Sequence, residues 1–284
     1  MSRMPLSPAR ALREHWPEYL MEAWGLGTFM VSAGVFATLL ESPGSPVHRA
    51  LTDPDLRRLL MGLAMGLTAV AIIYSPWGKR SGAHINPAVT LSFLRLGKIA
   101  PADAAFYILA QIAGGLAGVL AVWALLGAAF AEPPVDFVNT LPGPAGVGVA
   151  FAVELLMAGG LMLMVTTALG SARLEPRIGL LAGAMVALYI ALLAPLSGMS
   201  INPARTFASA APGGRWDYLW LYFSAPVLGM LLAVELGRLL RGRREPFCAK
   251  LCHDPAYRCI HCGHVPPEPD QAQAQAQSAG RPGP

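Results

Sequence analysis

The sequence predicts an all-α membrane protein: six transmembrane helices plus two re-entrant half-helices, arranged as an inverted repeat. Three observations carry this. Of the 284 residues, 54% are hydrophobic and only 13% charged, against about 25% charged in an ordinary soluble domain, and the mean hydropathy is +0.48. Such a chain could not cover a water-facing surface with polar groups. Next, six apolar stretches, 19–40, 59–74, 104–130, 147–169, 178–196 and 216–236, suit a hydrocarbon core about 30 Å thick. Finally, one stretch occurs twice. Ser81-Gly-Ala-His-Ile-Asn-Pro-Ala-Val-Thr90 and Ser197-Gly-Met-Ser-Ile-Asn-Pro-Ala-Arg-Thr206 agree at seven of ten positions.

Each copy opens a short apolar stretch, 87–96 and 203–211, too short to span. Asn can cap the first free N–H groups of a helix, and Pro fits the first helical position because its missing N–H is not needed there. A short helix at membrane depth is tolerable only where it is buried in protein or lines a wet cavity. With both termini in the cytoplasm, sixteen of the 21 Lys and Arg fall inside and five outside (Arg49, Arg57, Arg58, Arg205, Arg215). This topology puts the first short helix in an inner loop and the second in an outer loop, so repeats 19–130 and 147–240 enter from opposite faces. The chain divides into a cytoplasmic N-terminal segment 1–18, a channel domain 19–240 and a cytoplasmic tail 241–284.

The basic balance reports topology, and no basic-aromatic helix supports nucleic-acid binding. The segment before Tyr19 lacks an apolar run and is no cleavable signal. Glu22 and Glu154 sit deep in the first span of each repeat, where a carboxylate is expected to face the bundle and accept hydrogen bonds from loop backbone. His84 is read as another loop hydrogen-bonder, and Gln111 as a buried hydrogen-bonding residue. Glycines four apart, Gly62/Gly66, Gly114/Gly118 and Gly179/Gly183, mark close helix contacts. Trp16, Tyr19, Trp77, Trp216, Tyr218 and Trp220 are expected at the interfaces. Entering from opposite faces, the two short helices would bring Asn86 and Asn202 together near the midplane. Their positive N-terminal ends would repel cations, and their carboxamides would donate to a passing neutral molecule.

The paired Asn86-Pro87-Ala88 and Asn202-Pro203-Ala204, with Ser-Gly-Ala-His before the first and Ala-Arg-Thr-Phe after the second, resemble the aquaporin (major intrinsic protein) superfamily. Glu22, Glu154 and Gln111 match as well, and the resemblance covers about 19–240. It implies one pore per subunit, a homotetramer, and a passive route for water and small uncharged solutes in the plasma (cell inner) membrane. No enzyme activity is implied, and no nucleophile–base pair is visible in the spans. Carried over residue by residue, the outer filter reads Met65, Ile190, Met199 and Arg205. Strict water channels of this superfamily usually place Phe and His at the first two positions, and glycerol facilitators Trp and Gly. The softer, more apolar filter here is closest to relatives that pass metalloid hydroxides and other compact neutral solutes. A strict water channel is the alternative, and a non-conducting scaffold or sensor acting through its tail is a third.

The tail lies outside the resemblance. It holds all four cysteines, Cys248, Cys252, Cys259 and Cys262. In a reducing compartment their spacing argues against disulfides and suits one tetrahedral Zn²⁺. A flexible thiol-rich tail without metal is the other reading. Either way the tail is expected to be largely disordered and separable from the pore, and the pore itself is expected to need no cofactor.

Overall fold

A computed structural model describes residues 7–241 and 246–266. Its helices, in chain order, are α1 (Pro8–Glu41), α2 (Pro46–Ala50), α3 (Pro54–Tyr74), α4 (Pro76–Ser81), α5 (Pro87–Arg95), α6 (Pro101–Leu126), α7 (Ala128–Ala131), α8 (Val147–Leu169), α9 (Ile178–Ser197), α10 (Pro203–Gly213) and α11 (Leu219–Arg241). Six are long and apolar enough to cross a membrane. Proline starts most of the others and several of the six, where its fixed φ is an asset and its missing N–H costs nothing.

The half-helices are α5 and α10. In each, the Asn before the proline is the N-cap: Asn86 accepts from the Ala88 N–H at 2.8 Å, and Asn202 from those of Ala204 and Arg205 at 3.1 and 3.2 Å. The long helices pair as the repeat requires. α1 packs on α6, α8 on α11, and α3 joins α9 across the repeat boundary. The half-helices cross over: α5 packs against α11, and α10 against α6. Each repeat therefore closes the other.

Small residues make the pairings possible. A Cβ on Gly114 would stand 2.0 Å from the Ala23 carbonyl oxygen of α1, and one on Gly66 would stand 2.5 Å from that of Gly183 on α9. The backbones touch there. Outward leucines such as Leu67, Leu125, Leu156 and Leu192 are 63–80% exposed, as expected of faces meeting lipid.

Three expectations need correction. The first long helix starts at Pro8 rather than near residue 19, and the third ends at Leu126, because Gly127 (φ 56°) breaks it before α7. Tyr19 is no interfacial anchor. It is 5% exposed and donates to Asp103 at 2.6 Å, whereas Trp16, Trp77, Trp216, Tyr218 and Trp220 are exposed as read. The tail differs most: residues 246–266 pack against the bundle, with Cys248, Ala249, Lys250, Leu251 and Cys259 buried. The Gln-Ala repeat and Arg243, Arg244 and Arg281 lie outside the described residues.

Candidate functional site

The two motif loops are built alike, and a buried carboxylate builds each. Glu22 accepts from the Ser81 hydroxyl (2.8 Å), the backbone N–H groups of His84 (3.0 Å) and Ile85 (2.7 Å), and the Gln111 amide (2.8 Å). Glu154 accepts from the Ser197 hydroxyl (2.8 Å) and the N–H groups of Ser200 (2.8 Å) and Ile201 (2.6 Å). Two tyrosines clamp the loop starts: Tyr107 donates to the Ser81 carbonyl at 2.7 Å and Tyr222 to that of Ser197 at 2.6 Å. Sequence reading missed this pair. The signal was available, since each tyrosine follows its motif serine by 25 or 26 residues.

These bonds decide what the loops can offer a solute. The N–H groups of Ala83, His84 and Ile85, and of Met199, Ser200 and Ile201, are all consumed by Glu22, Glu154, Ser81 and Ser197. A stretch whose donors are spent has mainly carbonyl oxygens left to present. Holding it so requires left-handed backbone at residues that resist it: Ala83 (φ 53°), Ile85 (41°), Met199 (49°) and Ile201 (47°). The carboxylate bonds offset that strain, which is why a costly charge sits at this depth.

Where the loops meet, each asparagine donates across the pseudo-two-fold. The Asn86 amide bonds the Ile201 carbonyl and the Asn202 amide that of Ile85, both at 2.8 Å. Each carboxamide has two N–H donors, so one remains on each residue for the cavity beside it. That cavity, about 430 Å³, is lined by Asn86 and Asn202, by Met65, Ile190, Met199 and Arg205, and by Val89, the first-repeat counterpart of Arg205. Glu41, Pro54 and Arg58 line it toward the start of α3, and His84 and Leu251 toward the tail. Every pore residue singled out from the sequence, the Pro-Ala pairs apart, reaches this one space or holds a loop that does.

Arg205 is aimed by a loop that the sequence did not flag. Its Nη1 donates to the Val138 carbonyl at 2.7 Å and to the Ser209 hydroxyl at 3.4 Å. Val138 ends a turn whose residues Asp136, Phe137 and Val138 all have positive φ. A guanidinium has five donors, so others stay available to the cavity. His84 is a hydrogen-bonder, as read, but with a partner nobody would seek in sequence. Its Nε2 lies 2.6 Å from the Ala249 carbonyl oxygen of the tail, which makes Nε2 the protonated nitrogen, and Nδ1 faces the Thr90 hydroxyl at 3.0 Å.

In the tail, the ligating atoms of Cys248, His253, Cys259 and Cys262 lie within 4.8 Å of one another, a set that could bind a metal ion. Cys252, expected as the fourth ligand, is not part of the cluster. His253 takes the fourth place, while the Cys252 side chain packs against the hydrophobic core.

The family model described as major intrinsic protein matches residues 14–236, leaving the tail beyond its end. Aquaporin NIP1-3 of Oryza sativa subsp. japonica is 35% identical over 185 residues, which are 65% of this chain and 63% of that one. The chain thus spans just under two thirds of that relative. Glycerol uptake facilitator protein-like 6 of Lactiplantibacillus plantarum is 32% identical over 226 residues, covering 78% of this chain and 97% of its own length. The X-ray structure of the aquaglyceroporin from Plasmodium falciparum shares the fold, with a TM-score of 0.65 at 21% identity over 80% of this chain and 97% of that one. The chain therefore belongs to the major intrinsic protein family, the aquaporin-like multi-pass membrane channels, a family of channels and not of enzymes.

Proposed function

We propose that this chain is a passive channel for water and small uncharged solutes up to about the size of glycerol or a metalloid hydroxide, and that it excludes ions and protons. The observation that carries this reading is the single cavity joining both asparagine amides to Arg205. A neutral solute can exchange water's hydrogen bonds for the spare amide donors and the loop carbonyls. A cation meets a fixed guanidinium. Two like charges 4 Å apart at an effective dielectric of about 20 repel by about 4 kcal/mol, before the cost of stripping hydration is counted. Each asparagine donates to whatever oxygen passes, and that breaks the donor–acceptor chain a hopping proton needs.

The outer filter comprises Met65, Ile190, Met199 and Arg205. Ile190 offers no hydrogen bond, and the methionines are flexible, so this opening is softer and more apolar than one lined by Phe and His. The name of the Lactiplantibacillus relative, a glycerol uptake facilitator-like protein, supports solutes larger than water. Asn86, Pro87, Ala88, Asn202, Pro203 and Ala204 form the central barrier, while Glu22, Glu154 and His84 support the loops. The chain works as a homotetramer in the plasma (cell inner) membrane with both termini in the cytoplasm.

Light scattering from proteoliposomes in chelator-containing buffer tests this, comparing water, glycerol, urea and boric acid. Flux of glycerol or boric acid well above protein-free vesicles is expected. Water alone would reduce the reading to a strict water channel, and no flux at all would leave a non-conducting scaffold.

A further inference from the structure

The segment that the family match leaves out sits on the pore. Ala249 and Leu251 straddle the first motif loop: the Ala249 carbonyl accepts a hydrogen bond from the His84 Nε2–H, and the Leu251 N–H donates to the Gly82 carbonyl at 3.1 Å. A Cβ on Gly82 would stand 2.9 Å from the Ala249 oxygen, so the two backbones are in contact. Leu251 lines the end of the cavity itself. The His261 ring stacks on His84 at 5.9 Å and 8°, and its Nε2 lies 3.2 Å from the Ser81 carbonyl oxygen. Ion pairs tie the rim. Arg258 reaches the fully buried Glu18 at 2.6 Å, Arg80 reaches the same carboxylate at 2.9 Å, and Lys79 meets Asp254 at 3.0 Å. These contacts join the tail to α1 and α4 at one mouth.

Some twenty residues cannot bury enough apolar surface to hold a fold alone, and such segments need a staple. The cluster supplies one. A tetrahedral ion with metal–sulfur bonds of about 2.3 Å needs its donor atoms somewhat under 4 Å apart. Cys248 Sγ and Cys259 Sγ are 3.3 Å apart, and His253 Nε2 and Cys262 Sγ are also 3.3 Å apart. The last two cysteines share a tight turn closed by the Gly263 N–H on the Cys259 carbonyl, with Gly263 at φ 78°, and the Cys262 N–H points at Cys259 Sγ. Charge agrees with geometry. Three thiolates around a divalent ion leave one net negative charge, and the wholly buried Lys250 beside the cluster carries one positive charge, with Nζ anchored to the Arg258 carbonyl at 2.9 Å. A buried ammonium needs such a counterion.

We propose that Cys248, His253, Cys259 and Cys262 bind one Zn²⁺, and that this clasp seats residues 247–264 as a plug that closes the inner mouth of the pore with Leu251. The closing step rests on the channel reading above; the metal site does not. The ion binds the ordered tail and not the unravelled one. It therefore shifts the equilibrium toward the seated state by its differential affinity for the two. Loss of the ion releases the segment and opens the pore.

The test has two readouts on the full-length, reduced protein. The first is metal binding alone. Titration with Co²⁺ should give thiolate charge-transfer absorption and tetrahedral d–d bands at one equivalent, bleached by Zn²⁺. His253→Ala and Cys259→Ser should lose this signature and Cys252→Ser keep it. No binding, a Cys248–Cys259 disulfide formed in its place, or a signature surviving in His253→Ala would overturn the site.

The second readout is water permeability of proteoliposomes with Zn²⁺ or with chelator. Removal of the ion should raise it about ninefold if seating falls from about 90% to about 10% of molecules. Leu251→Ala should bind Zn²⁺ yet stay permeable, and a chain truncated after Arg244 should be permeable and blind to Zn²⁺. Permeability unaffected by Zn²⁺ in an open full-length channel would overturn the plug while leaving the channel reading intact. Impermeability of the truncated chain and of Leu251→Ala would overturn both.

Discussion

Glu154 is the residue on which the second half of the pore turns, since it ties Ser197, Ser200 and Ile201 at once. Glutamine keeps the shape but turns one acceptor oxygen into a donor facing backbone N–H groups. Each buried donor left unmet costs about 1–3 kcal/mol. Glu154→Gln should therefore lower the thermal midpoint in detergent by several degrees and reduce flux; an unchanged midpoint would show that the left-handed loop holds itself. Arg205→Ala removes the guanidinium of the proposed filter, so cation leak should rise while neutral flux persists. A folded variant with no added leak would take Arg205 out of the selectivity role. Both residues were legible in sequence, Glu154 because the first apolar stretch of each repeat carries one glutamate and Arg205 because it directly follows the second Asn-Pro-Ala. His253 was not. Four cysteines drew the eye, and nothing in a one-dimensional spacing says which of two adjacent side chains turns inward.

Helix packing can be tested in the same concrete way. Gly114 lies so close to α1 that any side chain must push the helices apart: its Cβ would meet the Ala23 oxygen at 2.0 Å. Gly148, on α8, has open space around it. Gly114→Leu should cost more than about 3 kcal/mol, beyond ordinary overpacking, and yield aggregated protein on size exclusion. Gly148→Ala should be neutral or stabilising by up to about 1 kcal/mol, because alanine loses less entropy in a helix. The glycine spacings and the six spans could be read directly, since hydropathy and spacing act within one element. Helix ends could not. α1 runs on through Arg10, Glu14 and Glu18 to Pro8, where hydropathy has already stopped. The docked tail was invisible for a related reason. Its contacts are polar and reach far along the chain, with Arg258 and Glu18 separated by 240 residues, and its own composition is too poor in apolar residues to announce a fold. Burial there shows in His261. Packing away from water, with the His84 ring beside it, pushes its pKa down to about 4, so the ring docks uncharged.

At the scale of the whole molecule, the proposed filter and the proposed plug line one cavity and would control different quantities. The filter draws on α3, α9 and the loop before α10, and its width and polarity would set the ratio in which solutes pass. The plug draws on a segment outside the repeats, and seated or unseated it would scale every flux alike. Sites that do not touch combine additively, and the cluster of Cys248, His253, Cys259 and Cys262 includes neither Met65 nor Ile190. The double variant Met65→Phe/Ile190→His should therefore lower the glycerol-to-water permeability ratio, because the ring narrows the opening and the imidazole gives water a partner opposite Arg205. Its response to Zn²⁺ should be unchanged. Cys259→Ser should do the reverse, raising total flux in the presence of Zn²⁺ at a constant ratio. Stopped-flow measurements of both solutes, with and without Zn²⁺, in these two variants and in their combination, decide the matter. An unaltered ratio in the double variant would mean that the constriction lies elsewhere in the cavity. A ratio that moved on removing Zn²⁺ would mean that Leu251 sorts solutes as well as blocking them, and the two barriers would then have to be treated as one.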